Sequence, residues 1–105
     1  MLENLTQAAL AAHVGASYRL EPTVQGDPFG VVLSAADASP YADAGAARRA
    51  GRRLPFSLLF HAAGGELVPQ QICRISGPAL DAVELFLVPL GPDGERGMRY
   101  EAVIS

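Results

Sequence analysis

Four segments in the second half of the chain have the length, the apolar content and the flanking turn residues of β-strands. They are residues 53–61, 70–76, 82–90 and 97–105. A strand turns successive side chains to opposite sides, so one face of the first segment is wholly apolar: Leu54, Phe56, Leu58 and Phe60. Such a face belongs in a core, and we therefore predict a mainly β fold.

The first 35 residues predict a short helix followed by a hairpin. Asn4 or Thr6 can cap a helix over residues 7–13, and Gly15 can end it in the left-handed conformation. We expect its buried stripe to be Leu2, Leu5, Ala9 and Ala12. Residues 16–23 and 29–35 form the hairpin, with Pro22 at an edge or a strand end because proline donates no backbone hydrogen bond.

These elements predict an antiparallel meander of about six strands with a short N-terminal helix. The connections are short, and most join strands that follow each other in sequence. Residues 82–88 carry apolar side chains on both faces, so we expect this strand to be central and the sheet to close into a small barrel or a sandwich. Of the two, the barrel is favoured.

Length and composition indicate one folded domain over residues 1–105. A chain of 105 residues with 50% hydrophobic and 18% charged residues is too apolar to stay disordered. Residues 37–52 are rich in Ala, Gly, Asp and Arg and lack any strand period, so we expect a flexible loop there. All eight basic residues are arginine, which favours a GC-rich bacterial source.

Charge and hydropathy limit the classes of partner. A net charge of -3 lacks the basic surplus of proteins that bind nucleic acid through phosphates. No segment approaches the ~20 apolar residues that span a bilayer, and the acidic start Met1-Leu2-Glu3 is unlike a secretory signal. We expect a soluble cytoplasmic protein that contacts neither nucleic acid nor membrane.

No group of residues has the spacing of a catalytic, metal or cofactor site. Cys73 is a single cysteine, and His13 and His61 have no neighbours at ligand spacing. Ser57 lies within a strand and lacks the strained turn that exposes a nucleophile. We therefore expect no metal, no cofactor and no enzymatic activity.

Charged residues offer two weaker signals. Glu84 and Glu101 could face each other as an acid and base pair, but cross-strand ion pairs with Arg74 and Arg99 are the simpler interpretation. The densest charge cluster is a set of four arginines that could contact an acidic partner: Arg48, Arg49, Arg52 and Arg53.

Motifs spread over most of the chain resemble a small bacterial family of uncharacterised single-domain proteins, a domain of unknown function. The motifs are Pro-Phe-Ser-Leu-Leu-Phe at 55–60, Val-Pro-Gln at 68–70, Val-Glu-Leu-Phe-Leu-Val-Pro-Leu-Gly at 83–91 and Met-Arg-Tyr-Glu-Ala-Val at 98–103. The chain departs from the family pattern at His61, where an Arg-Gly-Pro turn is usual, and at Cys73, where an aromatic is usual. Members occur beside phage-tail-like proteins, so the resemblance implies an accessory or assembly role without any activity.

Three functions remain open. The first is a non-enzymatic interaction or assembly module that binds a protein partner or its own copy, for example through an open sheet edge. The second is a small-molecule binder that uses the barrel interior. Its expected polar groups are Tyr18, Tyr100, Arg74 and Gln70. The third is a small enzyme.

Overall fold

The computed structural model describes residues 6–38 and 56–104. These residues form a helix, six strands and a 3-10 turn. In chain order they are α1 (Gln7–Ala11), β1 (Ser17–Pro22), β2 (Phe29–Ala38), β3 (Phe56–Ala62), β4 (Gln71–Gly77), β5 (Leu80–Pro92), the 3-10 turn (Gly94–Arg96) and β6 (Met98–Ile104). The predicted mainly β fold with a short N-terminal helix is confirmed.

The six strands close into an antiparallel barrel with the order β1-β2-β3-β6-β5-β4. Hairpin neighbours pair as β1–β2, β2–β3, β4–β5 and β5–β6, and the pairs β3–β6 and β1–β4 complete the circle. The barrel, the favoured architecture, is therefore confirmed over the sandwich. Sequential hairpins account for every connection except the one from β3 to β4, because β6 and β5 lie between these two strands.

Alternating side chains of all six strands fill the interior. Tyr18 of β1 meets Phe60 of β3 edge to face, with ring centroids 5.8 Å apart, and burial of each such large side chain contributes about 1.5–3 kcal/mol. The apolar face predicted for residues 53–61 is confirmed for Phe56, Leu58 and Phe60, and Leu54 lies outside the described residues. The buried members of β1 and β6 are Tyr18, Leu20, Tyr100, Ala102 and Ile104.

Strands β4 and β5 each bury only one face. Leu85 and Leu87 point inward, whereas Phe86 between them is 52% exposed. The prediction that β5 is a central strand with both faces buried is wrong, because a closed barrel has no central strand and its outer wall has no second layer. On β4 the inner face holds Cys73, and Ile72 points outward.

Helix α1 is capped as expected but ends early. The Thr6 hydroxyl accepts a hydrogen bond from the Ala9 N–H at 3.1 Å, and the helix stops at Ala11, two residues before the predicted end. Gly15 has a φ of 98°, and its N–H donates to the Leu33 carbonyl at 2.7 Å. This bond fixes the chain against β2 just before β1 begins.

The predicted apolar stripe of α1 is wrong where it can be compared. Leu10 is the buried side chain of the helix, while Ala9 and Ala12 are exposed. Gln7 donates to the Ala36 carbonyl at 2.7 Å, so the helix presents Gln7 and Leu10 to the barrel. A helix this short has no complete stripe to bury. The other two predicted members, Leu2 and Leu5, lie outside the described residues.

Strand β2 is longer and less regular than its sequence predicts. It runs to Ala38, two residues into the segment expected to be a loop. Leu33 pairs with Phe60 and Ala35 with Leu59, so Ser34 is the extra residue of a β-bulge. The remaining predicted loop residues, 39–52, lie outside the described part of the chain, as does the arginine cluster Arg48, Arg49, Arg52 and Arg53.

Candidate functional site

Three exposed apolar side chains lie on adjacent strands of the outer wall of the barrel. Ile72 of β4 pairs with Phe86 of β5. Val88 of β5 pairs with Glu101 of β6, and Val103 is the next residue of β6 beyond Glu101 that points outward. Ile72, Phe86 and Val103 are 48%, 52% and 59% exposed. We call these three residues the outer apolar row.

The outer apolar row differs from ordinary scattered surface hydrophobes. Single exposed apolar residues are common and need no explanation. Here the three side chains belong to three adjacent strands, and one of them is an aromatic ring. Contiguous exposed apolar surface is one of the features by which interaction sites on folded domains are recognised.

Charged side chains lie next to this row. Arg74 and Glu84, one level along β4 and β5, form an ion pair at 3.4 Å. This confirms the Arg74 part of the ion-pair prediction. Glu101 pairs across the strands with Leu59 and Val88 and therefore does not stand opposite Glu84.

Arg99, the other arginine expected in a cross-strand ion pair, bonds to backbone carbonyls instead. Its guanidinium donates to the carbonyls of Leu90 and Gly91, at 3.5 Å each. The reason is the shift in register near Gly91, which turns these β5 carbonyls toward β6.

Closure of the barrel determines how the described strands can bind another protein. Each of the six strands has a paired neighbour on both sides, and a closed barrel has no edge strand to template a further one. The expectation that a partner adds a strand at an open edge is therefore wrong for these strands. Along the described strands the outer wall therefore presents side chains and no free strand edge.

A second site brings together a hydroxyl, an imidazole and a carboxylate. His61 of β3 points outward, yet only 5% of it is exposed. Its Nδ1 contacts the Ser34 hydroxyl, and its Nε2 lies 3.0 Å from Oδ2 of Asp93. We call Ser34, His61 and Asp93 the His61 cluster.

The hydrogen-bond roles in the His61 cluster follow from the carboxylate. An ionised carboxylate only accepts, so Nε2 of His61 must carry the hydrogen it donates to Asp93. In the neutral ring Nδ1 then accepts from the Ser34 hydroxyl. The order is hydroxyl to imidazole to carboxylate, the order of a nucleophile, its base and the group that orients the base.

Two backbone irregularities assemble the cluster. The bulge at Ser34 turns that side chain toward His61 on the neighbouring strand. On the other side, Gly97 comes so close to the end of β3 that a Cβ there would lie 1.9 Å from the Ala62 carbonyl oxygen. The loop that carries Asp93 is closed by a bond from its own N–H to the Gly97 carbonyl at 2.8 Å.

The surroundings favour the ionised form of Asp93. The hydrogen bond from His61 is the largest effect that lowers the pKa of this carboxyl below its ordinary value. Desolvation opposes it, and the charges of Arg99, Arg96 and His61 lower the pKa further. Of the two arginines, Arg96 has a contact with the carboxylate, at 3.8 Å from Oδ2.

Sequence reasoning missed Ser34 and Asp93. They lie 27 and 32 residues from His61, and nothing in the local sequence marks either one, since Asp93 reads as a turn residue. The serine considered as a nucleophile, Ser57, instead lies opposite Asp37 and Val103 on the outer wall.

The polar residues expected to line a ligand cavity make other contacts or lie at the surface. Tyr18 donates to the Pro78 carbonyl at 2.7 Å. The Tyr100 hydroxyl donates to the Glu66 carbonyl at 2.7 Å and accepts from the Val68 N–H at 2.9 Å. Both tyrosines thus anchor connections between strands. The other two candidates, Arg74 and Gln70, are exposed to solvent.

Cys73 and His13 remain isolated from metal-ligating neighbours in the described structure. Cys73 is fully buried, and burial raises the pKa of its thiol to about 11. Among residues 6–38 and 56–104 no three His, Cys, Asp or Glu side chains come together as a metal site. Within the same ranges no helix is long and apolar enough to cross a bilayer.

Comparison with known proteins gives a family and no further relative. The family model described as Domain of unknown function (DUF6916) matches residues 5–104. No curated protein and no solved structure matches the chain. Because the match covers the helix and all six strands of the barrel, the chain belongs to this family, the domain of unknown function DUF6916.

Proposed function

We propose that this domain is an interaction or assembly module that binds a protein partner through the outer apolar row and performs no catalysis. The observation that carries the proposal is the exposure of Ile72, Phe86 and Val103 on three adjacent strands. A buried aromatic anchor is the commonest source of affinity in protein interfaces. Phe86, at the centre of the row, is the residue for that role.

The wider setting belongs to the same proposal. The resemblance to a bacterial family encoded beside phage-tail-like proteins supports an accessory role in such an assembly, in the cytoplasm where its parts are made. A rigid closed barrel suits this role because its outer wall needs no rearrangement on binding.

Affinity capture from the native host tests the proposal. The tagged protein is compared with the double variant Ile72→Ser/Phe86→Ser, and with Leu67→Ser, which removes an apolar side chain that is 66% exposed outside the row. We expect a stoichiometric partner with the unchanged protein and with Leu67→Ser, and its loss with the double variant. Light scattering checks for self-association. A monomer that retains nothing from the lysate would contradict the proposal.

The His61 cluster favours a second candidate, acyl transfer to Ser34. In that reaction Ser34 Oγ bonds the carbonyl carbon of an ester, its proton passes to His61 Nδ1, and the departing alkoxide then takes that proton. Serine-protease triads use the two ring nitrogens the other way round, with Nε2 toward serine, whereas here Nδ1 faces Ser34.

A fluorophosphonate probe tests this second candidate. Intact-mass measurement should show one adduct per chain, which Ser34→Ala abolishes and His61→Gln slows at least about tenfold, since a general base contributes about 10²–10⁴-fold. Folding of both variants is checked by circular dichroism. If no adduct forms, or if the adduct persists in Ser34→Ala, this candidate is wrong.

A further inference from the structure

We infer that the partner presents an apolar side chain between basic residues. This inference rests on the proposed interaction function and adds the chemistry of what is bound. It follows from the charged residues around the outer apolar row. The strand register places these residues on three sides of the row.

Acidic side chains frame the row. On one side Glu84 of β5 lies one level from Phe86. On the other side Glu101 of β6 lies one level from Val103. At the end of the row Asp37 of β2 follows, because Val103 pairs with Ser57 and Ser57 pairs with Asp37.

Positive charge is sparse at the same level of the barrel. Arg74, opposite Glu84, is the cation next to the row in the described structure, and Glu84 already holds it at 3.4 Å. Glu21, which pairs with Arg74 from the other side, adds a further carboxylate. Glu21 is itself held by Arg19 at 3.3 Å, one level further from the row. The frame as a whole is therefore acidic.

An acidic frame around an apolar centre selects among partners. The apolar contacts supply affinity, while complementary charges at the rim supply specificity and speed of association. A second copy of this chain would bring the same acidic frame against its own, which disfavours self-association through this surface. A partner with Lys or Arg on both sides of an apolar anchor fits.

Synthetic peptides test the inference. The probe is acetyl-Lys-Arg-Leu-Phe-Leu-Arg-Lys-amide, and two matched peptides change either the flanks to Glu-Asp and Asp-Glu or the centre to Ser-Gly-Ser. Amide shifts are followed by NMR during titration. We expect the first peptide to shift amides around Phe86 and Val103, and to bind at least about fivefold tighter than the acid-flanked one at low salt, with the difference shrinking in salt.

Variants of the chain separate the contribution of the apolar contact from that of the acidic frame. Phe86→Ser should weaken the first peptide at least about tenfold, as loss of an aromatic anchor does. Glu84→Gln/Glu101→Gln should reduce the preference for basic flanks, whereas Glu66→Gln, which removes one carboxylate in an exposed loop outside the frame, should not.

Three results would overturn the inference: equal binding of basic-flanked and acid-flanked peptides, shifts that map elsewhere on the barrel, or dimerisation through Phe86 without any peptide. The proposed function can survive such a failure. If a host partner is still captured and Phe86→Ser still releases it, the interaction stands and only the stated partner chemistry is wrong.

Discussion

His61 is a buried polar side chain with a bonding partner on each ring nitrogen. Its ring is buried on the outer wall and is bonded by Ser34 on one nitrogen and Asp93 on the other. A buried polar group stabilises a fold when both of its bonds are made, and removing it leaves its partners unpaired. The ring therefore ties β2 and the loop before β6 to β3.

The change His61→Ala should lower the free energy of unfolding by about 1–3 kcal/mol, because Ser34 loses its acceptor and Asp93 its donor. Urea titration followed by circular dichroism measures it. His13→Ala, at a half-buried position after α1, serves as the control and should change stability by less than about 0.5 kcal/mol. Equal effects of the two changes would show that the His61 cluster does not stabilise the barrel.

The lowered pKa of Asp93 predicts how the stability of the fold depends on pH. Folding lowers the pKa of this carboxyl, so the folded state binds the proton less tightly than the unfolded state does. The stabilisation is complete above the unfolded pKa of about 3.9 and is lost as the pH falls through the lower folded value. We expect the difference in melting temperature between the unchanged protein and Asp93→Asn to be steady just above that pH and to shrink below it. A difference that grows below pH 4 would contradict this.

At the scale of elements, the approach of the 93–97 loop to β3 depends on one glycine. Gly97 has a φ of 88° and no room for a Cβ beside Ala62, whereas Gly94 has a φ of 55° and open space around it. Positive φ alone costs a non-glycine residue about 1–2 kcal/mol. The two glycines therefore differ in steric contact and also in backbone conformation, because Gly97 combines its positive φ with a ψ of -155°, a region that essentially only glycine adopts.

We expect Gly94→Ala to destabilise the protein by about 1 kcal/mol and Gly97→Ala by clearly more, since only the second change also pushes the loop off β3. Thermal unfolding of both variants measures the difference. NMR shifts of His61 should move in Gly97→Ala and stay in Gly94→Ala. Equal destabilisation would mean that the loop does not touch β3 as closely as the structure has it.

Period-two alternation was sufficient to predict the inner faces of β3 and β6, because each of these strands has one cleanly apolar side. It could not choose a face for β4. There the inner position at Gln71 is polar, and the side chain is used to bind the backbone of Val24 and Gln25. The prediction of the buried face of α1 failed for a related reason. The five-residue helix buries one leucine, and its alanines do not show which side of the helix faces the barrel.

The candidate sites were less predictable than the fold. Exposure of Phe86 depends on whether the sheet closes as a barrel or folds over as a sandwich, and β5 has the same sequence in either case. The His61 cluster depends on a bulge and on a glycine far along the chain. Non-local geometry of this kind leaves no periodic signal in the sequence.

At the scale of the whole molecule, closure by β1 and β4 is what turns a set of hairpins into a barrel. The two strands pair over Arg19–Ser76 to Pro22–Cys73, although about fifty residues separate them. The Tyr18 hydroxyl reinforces this seam by its bond to the Pro78 carbonyl. Gly77 at the same end leaves room for the Tyr18 ring, where a Cβ would come within 2.5 Å of it.

Hydrogen exchange can show whether the pairing of β1 with β4 is as stable as the pairing within the hairpins. In a closed barrel that unfolds as one unit, amides of β1 and β4 that face each other are protected by nearly the full free energy of unfolding. We therefore expect protection at Glu21 and Arg74, whose amides face each other between β1 and β4, comparable to that in the β4–β5 hairpin, measured by NMR in D₂O. Tyr18→Phe should lower the protection of the β1–β4 amides more than that of the hairpin amides, because it removes the hydrogen bond from Tyr18 to the Pro78 carbonyl at one end of this pairing. Fast exchange on β1 beside slow exchange on β5 would instead indicate a sheet that is open at this point, and an open edge would again be available for strand addition.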